Sequence, residues 1–117
     1  MKPITVAGSS PVPNSGRLDA HRLFSSPHVE VVHIHLPPNG RLPRHASPVD
    51  TLIYIVTGSA AVESGSERAV APAGSLIPSP AGTMHRVLNE SSEPLRFLVI
   101  KTPKPDRPPE FETIDQP

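Results

Sequence analysis

The fold is decided by one stretch of sequence, Gly74-Ser75-Leu76-Ile77-Pro78-Ser79-Pro80-Ala81-Gly82-Thr83-Met84-His85-Arg86-Val87-Leu88-Asn89. It follows the spacing G-x5-P-x-G-x2-H-x3-N at all five fixed positions. Gly74 can turn the chain into a strand, and Pro80-x-Gly82 favours a rigid turn. His85 then opens the next strand, where its ring can point inward. The competing interpretation is an ordinary turn followed by a surface histidine, and five matched positions between strand-like segments disfavour it.

The segments around this stretch have the composition of short β-strands. The run from Val29 to Leu36 is rich in β-branched residues and stops at Pro37-Pro38-Asn39-Gly40, which is typical of a strand followed by a turn. Leu18 to Phe24 fits either a short turn of helix or a strand. Further strands are predicted at Thr51 to Thr57, Ser59 to Glu63, Arg68 to Ala71, Ser75 to Ile77, His85 to Leu88 and Leu95 to Lys101, with a hairpin turn at Ser64-Gly65-Ser66. Because 17 residues are proline, long helices are disfavoured. The predicted fold class is all-β, a sandwich or closed barrel.

Length, charge and cysteine content narrow the class of protein. The 117 residues suit one domain with one modest core. The 11 basic and 11 acidic residues give no net charge, which disfavours nucleic acid and anionic membranes as partners. No apolar run reaches the roughly 18 residues that span a bilayer, and the first residues lack an apolar signal core. We therefore expect a cytoplasmic protein. With no cysteine, the chain has neither disulfides nor thiolate ligands.

The chain divides into three predicted parts. Residues 1 to 16 hold three prolines and two glycines with little periodic apolar content, which predicts an irregular N-terminal arm. Residues 17 to 101 contain the predicted strands and form the barrel. Residues 102 to 117 combine five prolines with charged side chains. Such a segment buries too little apolar surface to order itself, so we expect a tail that is either loose or docked on a neighbour.

The stretch from residue 74 to 89 resembles the second sequence motif of the cupin family in full. An upstream stretch resembles the first motif, approximately G-x5-H-x-H-x3-E-x6-G, less completely. The residues at or near the fixed positions of this motif are Gly40, His45, Ser47, Thr51 and Gly58. Gly40 is one residue closer to His45 than the motif asks, and Ser47 and Thr51 replace the second histidine and the glutamate. The resemblance covers about Val29 to Lys101 and implies the family's double-stranded β-helix, or jelly-roll, barrel.

The resemblance also implies a metal site in the barrel. In cupins with both complete motifs, three histidines and a glutamate hold one divalent metal, and here only His45 and His85 carry over. Hydroxyl groups stay protonated near neutral pH and are poor ligands, so Ser47 and Thr51 are predicted to line the pocket rather than bind metal. Fe(II), Mn(II), Ni(II) and Zn(II) remain alternatives for the metal.

Three weaker candidates are considered for completing this site. His33 and His35 share one face of their strand, but the opposite face is uniformly apolar and makes the better barrel lining, which turns both histidines outward. Asp50 is out of phase with His45 and Thr51, so a bulge would be needed to turn it inward. Water is the third candidate. Lys101, in phase with Phe97 and Val99, could bring an amine to the barrel mouth, where an anionic substrate would meet it, although a solvated strand end is the commoner outcome.

Three functional hypotheses follow from the resemblance. The first is a metal-dependent enzyme, such as a dioxygenase, isomerase or lyase, acting on a small organic substrate. The second is a barrel that has lost its metal and binds or senses a small molecule, with the hydroxyls of Ser47 and Thr51 available for hydrogen bonds. The third and weakest is a structural dimeric module with a vestigial pocket. Because single-domain cupins commonly pair through arms or sheet edges, we also expect a homodimer.

Overall fold

The computed structural model describes residues 1–13 and 18–112, which form eleven β-strands and no helix. None of the described segments could therefore cross a membrane as a helix. The strands, in chain order, are β1 (Ser10–Pro11), β2 (Asp19–Ser25), β3 (Glu30–Leu36), β4 (Arg41–Ala46), β5 (Asp50–Thr57), β6 (Ser59–Ser64), β7 (Glu67–Pro72), β8 (Leu76–Ser79), β9 (His85–Leu88), β10 (Leu95–Thr102) and β11 (Glu110–Phe111). The all-β prediction is confirmed, and the segment Leu18 to Phe24 contains no helix, since β2 begins at Asp19 and includes Phe24.

Two antiparallel sheets make up the barrel. The first has the order β1-β2-β3-β10-β5-β8, and the second has the order β11-β4-β9-β6-β7. Several neighbours in these orders lie far apart in sequence, as β10 does from β3 and β5. This crossing of the chain between two facing sheets is the arrangement of a jelly roll.

The core lies between the sheets and follows the period-2 alternation of the strands. On the first sheet, Phe97 is paired with Ile34 of β3 and Ile55 of β5. Phe97 and Ile55 are fully buried and Ile34 is 5% exposed. Replacing such a buried phenylalanine by alanine typically costs about 3–5 kcal/mol. The inward face of β3 is therefore the apolar one, as the sequence predicts.

At one end of the barrel, the inward-facing positions of the strands carry polar instead of apolar side chains. Two positions beyond Val99, Lys101 faces inward and is paired with Glu30 of β3 and Thr51 of β5. Thr51 is in turn paired with Ser79 of β8. We call this row and the histidines opposite it the polar layer, with members Glu30, Lys101, Thr51, Ser79, His45 and His85.

Asn89 and Gly58, which the motifs fix at the ends of strands, have structural roles. The side-chain amide of Asn89 is buried and donates to the backbone oxygens of Leu36, at 3.0 Å, and Glu93, at 2.8 Å. Asn89 therefore joins two loops at the end of the barrel opposite the polar layer. Gly58 has φ +88°, and a Cβ there would lie 2.5 Å from the backbone oxygen of Pro94. Neither residue takes part in the site.

Short strands in both terminal segments pair with the barrel. The arm contributes β1, whose Ser10 and Pro11 pair with β2. In the tail, β11 pairs with β4 of the same chain, so the tail docks on its own barrel. The carboxylate of Glu112 holds this contact with an ion pair of 3.0 Å to Arg44. The remaining residues of the predicted arm and tail, 14–16 and 113–117, lie outside the described residues, as does residue 17 at the start of the predicted barrel.

Candidate functional site

His45 and His85 meet at the polar end of the barrel. They are register partners on β4 and β9, and their ring centroids are 4.4 Å apart with the planes tilted by 56°. The pairing of the two strands shifts between Leu42 and His45, which indicates a bulge or irregularity that resets the direction of the His45 side chain. His85 is 2% exposed. The structure therefore brings the two predicted histidines into one site.

Each imidazole is held through its Nδ1 atom. The Nδ1 of His45 lies 2.7 Å from the backbone oxygen of Pro43, and that of His85 lies 3.2 Å from the backbone oxygen of Thr83 and 3.1 Å from the hydroxyl of Ser79. A carbonyl oxygen only accepts hydrogen bonds, so each Nδ1 carries the proton and donates it. The Nε2 atom of each neutral ring is then left with its lone pair.

Burial keeps both rings uncharged near neutral pH. Desolvation lowers the pKa of His45 from 6.5 to about 4, against the opposing hydrogen bond to Pro43, and the charges of His85 and Lys101 lower it further. Burial also lowers the pKa of His85, and Lys101 adds to this effect. The site therefore offers two neutral imidazoles whose lone pairs accept hydrogen bonds.

Two adjoining cavities open onto His45, and the smaller one also opens onto His85. The smaller, of about 20 Å³, is lined by both histidines, Ser47, Thr51 and Lys101, and the tail covers it through Pro105, Arg107 and Pro109. It has room for about one water molecule. The larger, of about 540 Å³, has the size of a site for a small organic molecule. His45, Val99, Lys101 and Pro109 line both cavities.

The charges around the cavities are mainly positive. Lys101, Arg22 and Arg107 line one cavity or both, whereas Glu30 is the one carboxylate in their walls, among the described residues. Glu30 is 6% exposed, and its carboxylate lies 3.4 Å from Nε of Arg22. Burial lowers the pKa of Lys101, while the charge of Glu30 opposes this shift. Lys101 is thus a half-buried amine whose positive charge is only partly balanced.

The other candidate residues are placed differently. The hydroxyls of Ser47 and Thr51 face the smaller cavity, but Ser47 accepts from the backbone N–H of Val49 and Thr51 donates to the Val49 oxygen. Asp50 lies outside the two cavities, because its carboxylate accepts from the backbone N–H of Ala81 at 2.9 Å. This contact ties β5 to the Pro80–Thr83 turn.

His33 and His35 lie on the outer face of the first sheet, as the alternation predicts. His33 is nevertheless only 4% exposed, because Arg96 of β10 covers it and donates from Nε to its Nε2 at 3.0 Å. Burial and the charge of Arg96 lower the pKa of His33. His35 lies 3.6 Å from the carboxylate of Asp19. Neither histidine reaches the cavities inside the barrel.

The donor set does not fit the four-ligand metal site that complete cupin motifs imply. Within residues 1–13 and 18–112, no three histidine, aspartate or glutamate side chains are grouped as metal ligands. The hydroxyls that replace the missing ligands are weak donors and already bonded to the backbone. The ammonium of Lys101 also lines the cavity and opposes a second cation there.

Sequence reasoning missed two parts of the site. Glu30 and Arg22 were not identified, although Glu30 is in phase with the inward-facing Val32 and Ile34 and could have been found by alternation. The tail wall was missed as well. Phe111 is paired with His45 across β11 and β4, and the two rings are 5.5 Å apart. Phe111 is a single aromatic residue among prolines and charged residues, and this sequence context does not indicate where its side chain packs.

Two facing antiparallel sheets with a polar pocket at one end define a protein of the double-stranded β-helix class. The chain belongs to the cupin family, since the family model described as Cupin domain matches residues 32–101. The TT1209 protein of Thermus thermophilus is 29% identical, with a TM-score of 0.73 over 79% of this chain and 89% of that one. The comparison with curated proteins gave no significant match.

More distant structures agree in fold alone. A double-stranded β-helix protein from Klebsiella pneumoniae has a TM-score of 0.79 at 18% identity, covering 95% of this chain and 96% of that one. The polyketide cyclase RemF from Streptomyces resistomycificus has a TM-score of 0.79 at 20% identity, covering 98% of this chain and 89% of that one. These similarities show the fold and specify no reaction.

Proposed function

We propose that this cupin binds a small organic anion at the polar end of its barrel, without a metal. One observation carries the proposal: the half-buried amine of Lys101 lines both cavities beside His45, and cations outnumber carboxylates in the described cavity walls. In a partly desolvated site, an ammonium attracts a carboxylate more strongly than it does in water. Lys101 is therefore the group that binds the anion.

The two histidines favour a ligand that can donate a hydrogen bond. Their Nε2 lone pairs accept hydrogen bonds, so a ligand hydroxyl beside the carboxylate could donate to one of them. A general base works best with a pKa near the operating pH, whereas the pKa of His45 is about 4. This low pKa makes His45 a weak base, which favours binding or sensing over proton abstraction.

The metal-dependent enzyme remains the second candidate. One observation favours it: two neutral imidazoles lie close together. Their Nδ1 atoms are both hydrogen-bonded, so their Nε2 lone pairs are the ones available to a ligand. A metal there would depend on water or substrate for its other ligands. Because two imidazoles bind a divalent ion weakly, we expect substoichiometric metal in protein purified without a histidine tag.

The test combines metal content with anion binding. Untagged wild-type protein, His45→Ala and His85→Ala are analysed by inductively coupled plasma mass spectrometry. Stoichiometric metal that is lost in both variants would overturn the metal-free proposal in favour of the second candidate. In parallel, calorimetry measures the binding of short carboxylic and hydroxy acids.

Lys101→Met is the decisive variant for anion binding, and Lys104→Met is its matched control because Lys104 is exposed in the tail. We expect Lys101→Met to weaken binding at least about tenfold, the effect of about 1.4 kcal/mol, and Lys104→Met to leave it unchanged. Circular dichroism checks that both variants are folded. Equal affinities of Lys101→Met and wild type would contradict the proposal.

A further inference from the structure

The larger cavity adjoins the polar layer and has mainly apolar walls. Its aliphatic lining includes strand residues from both sheets, and those that matter here are Ala20, Val32, Ile34 and Leu42. Ala20, Val32, Ile34 and Leu42 also belong to the buried core of the barrel. The cavity therefore extends from Lys101 and His45 into the apolar part of the barrel.

The sizes of the cavities decide where a ligand fits. The smaller cavity of about 20 Å³, beneath the tail, has room for little more than a water molecule. The body of any organic ligand must then occupy the larger cavity, of about 540 Å³. Since Lys101 lines both, a carboxylate at Lys101 would leave the rest of the ligand against Val32, Ile34 and Leu42.

We propose that the ligand is an amphipathic carboxylic acid, with its carboxylate at Lys101 and an aliphatic body in the larger cavity. This inference rests on the proposed function and names the class of anion. A sugar acid is the alternative of similar charge. Its body would bring several hydroxyls against side chains that have no polar atoms, and each unpaired buried hydroxyl weakens binding substantially. The aliphatic body instead gains from leaving water.

A homologous series of straight-chain carboxylates, from acetate to decanoate, tests the inference by calorimetry, with gluconate as the sugar acid. We expect the affinity of the wild type to rise about threefold to fourfold per methylene until the cavity is filled, in line with the transfer free energy of a methylene group. Gluconate should bind no better than acetate. Lys101→Met should weaken every member of the series by a similar factor.

Ala20→Leu provides the test of location, because it adds bulk to the wall of the larger cavity. The series should then stop gaining affinity at a shorter chain length. Ala69→Leu is the matched control, since Ala69 is exposed on β7 and does not line this cavity. As a measurement that needs no variant, nuclear Overhauser effects should connect the terminal methyl of octanoate with methyl groups of Leu42 and Ile34.

The possible outcomes distinguish a failure of this inference from a failure of the proposed function. If acetate binds through Lys101 but longer chains gain nothing, or gluconate binds more tightly, the amphipathic class is wrong and anion binding stands. If no carboxylate binds, the proposed function itself fails. If long-chain alcohols bind as well as the acids and Lys101→Met has no effect, the carboxylate contact is refuted. Overhauser contacts to Tyr54, on the outer face, in place of Leu42 would refute the location.

Discussion

The neutrality of His45 predicts a specific loss of stability in acid. Its pKa is about 4 in the folded protein, against 6.5 for an ordinary histidine. Between these values the unfolded chain binds the proton and the folded protein does not, so protonation favours unfolding. The stabilisation is fully present above pH 6.5 and is lost as the pH falls towards about 4. A difference of about 2.5 pKa units corresponds to about 3 kcal/mol, of which about 2 kcal/mol should be lost between about pH 7.5 and about pH 5.

The assay is urea unfolding at several pH values, on wild type and on His45→Phe after treatment with a chelator. Each protein is compared with its own stability near neutral pH, so the general cost of the substitution cancels. We expect the pH dependence of His45→Phe to be flatter by about 2 kcal/mol over this interval. The pKa values of His85 and His33 are lowered as well, so both proteins keep a pH-dependent slope from these two residues. Equal slopes for the two proteins would refute the assignment of a buried neutral His45.

Three further predictions concern stability and assembly. Asn89→Ala should lower the free energy of unfolding by about 2–4 kcal/mol in urea titrations, because it leaves two backbone oxygens without their donor; a loss below about 1 kcal/mol would contradict this role. Gly58→Ala should lower the melting temperature more than Gly74→Ala. Both glycines have φ near +90°, but only at Gly58 would a Cβ meet a close atom, the Pro94 oxygen. Equal melting temperatures would argue against the clash. Light scattering should show a homodimer, and Tyr54→Lys, on the outer face of the first sheet, should weaken it; a monomeric wild type would contradict the prediction.

The sequence predicted those parts of the fold that depend on local patterns. β9 begins at His85 and ends at Leu88 as predicted, because the glycines and proline before it fix the turn. β4 was not predicted, since Pro43 and two arginines interrupt its apolar alternation. Its strand conformation comes from pairing with β9 and β11, which is a tertiary effect. Local propensity contains no information about such partners.

The site was predictable to a similar extent. Alternation along β5 predicted Thr51 inward and Asp50 outward, whereas for Lys101 the sequence favoured a solvated strand end and the structure has it lining both cavities. The same rule applied to β3 would have revealed Glu30. What alternation could not give was the pairing of Phe111 with His45, because it depends on how a Pro-rich segment returns to its own barrel. The size of the cavities depends on how this segment packs against the barrel, so it could not be predicted from the sequence either.

The position of β10 between β3 and β5 has a consequence for the rate of folding. Lys101 reaches Glu30 only after the late part of the chain has closed onto the early part. All-β proteins dominated by such distant pairings fold slowly, in roughly milliseconds to seconds. The proposed anion site is incomplete until this closure, so we expect that a ligand does not assist the rate-limiting step. Bound ligand should therefore slow unfolding in stopped-flow experiments and leave the refolding rate unchanged.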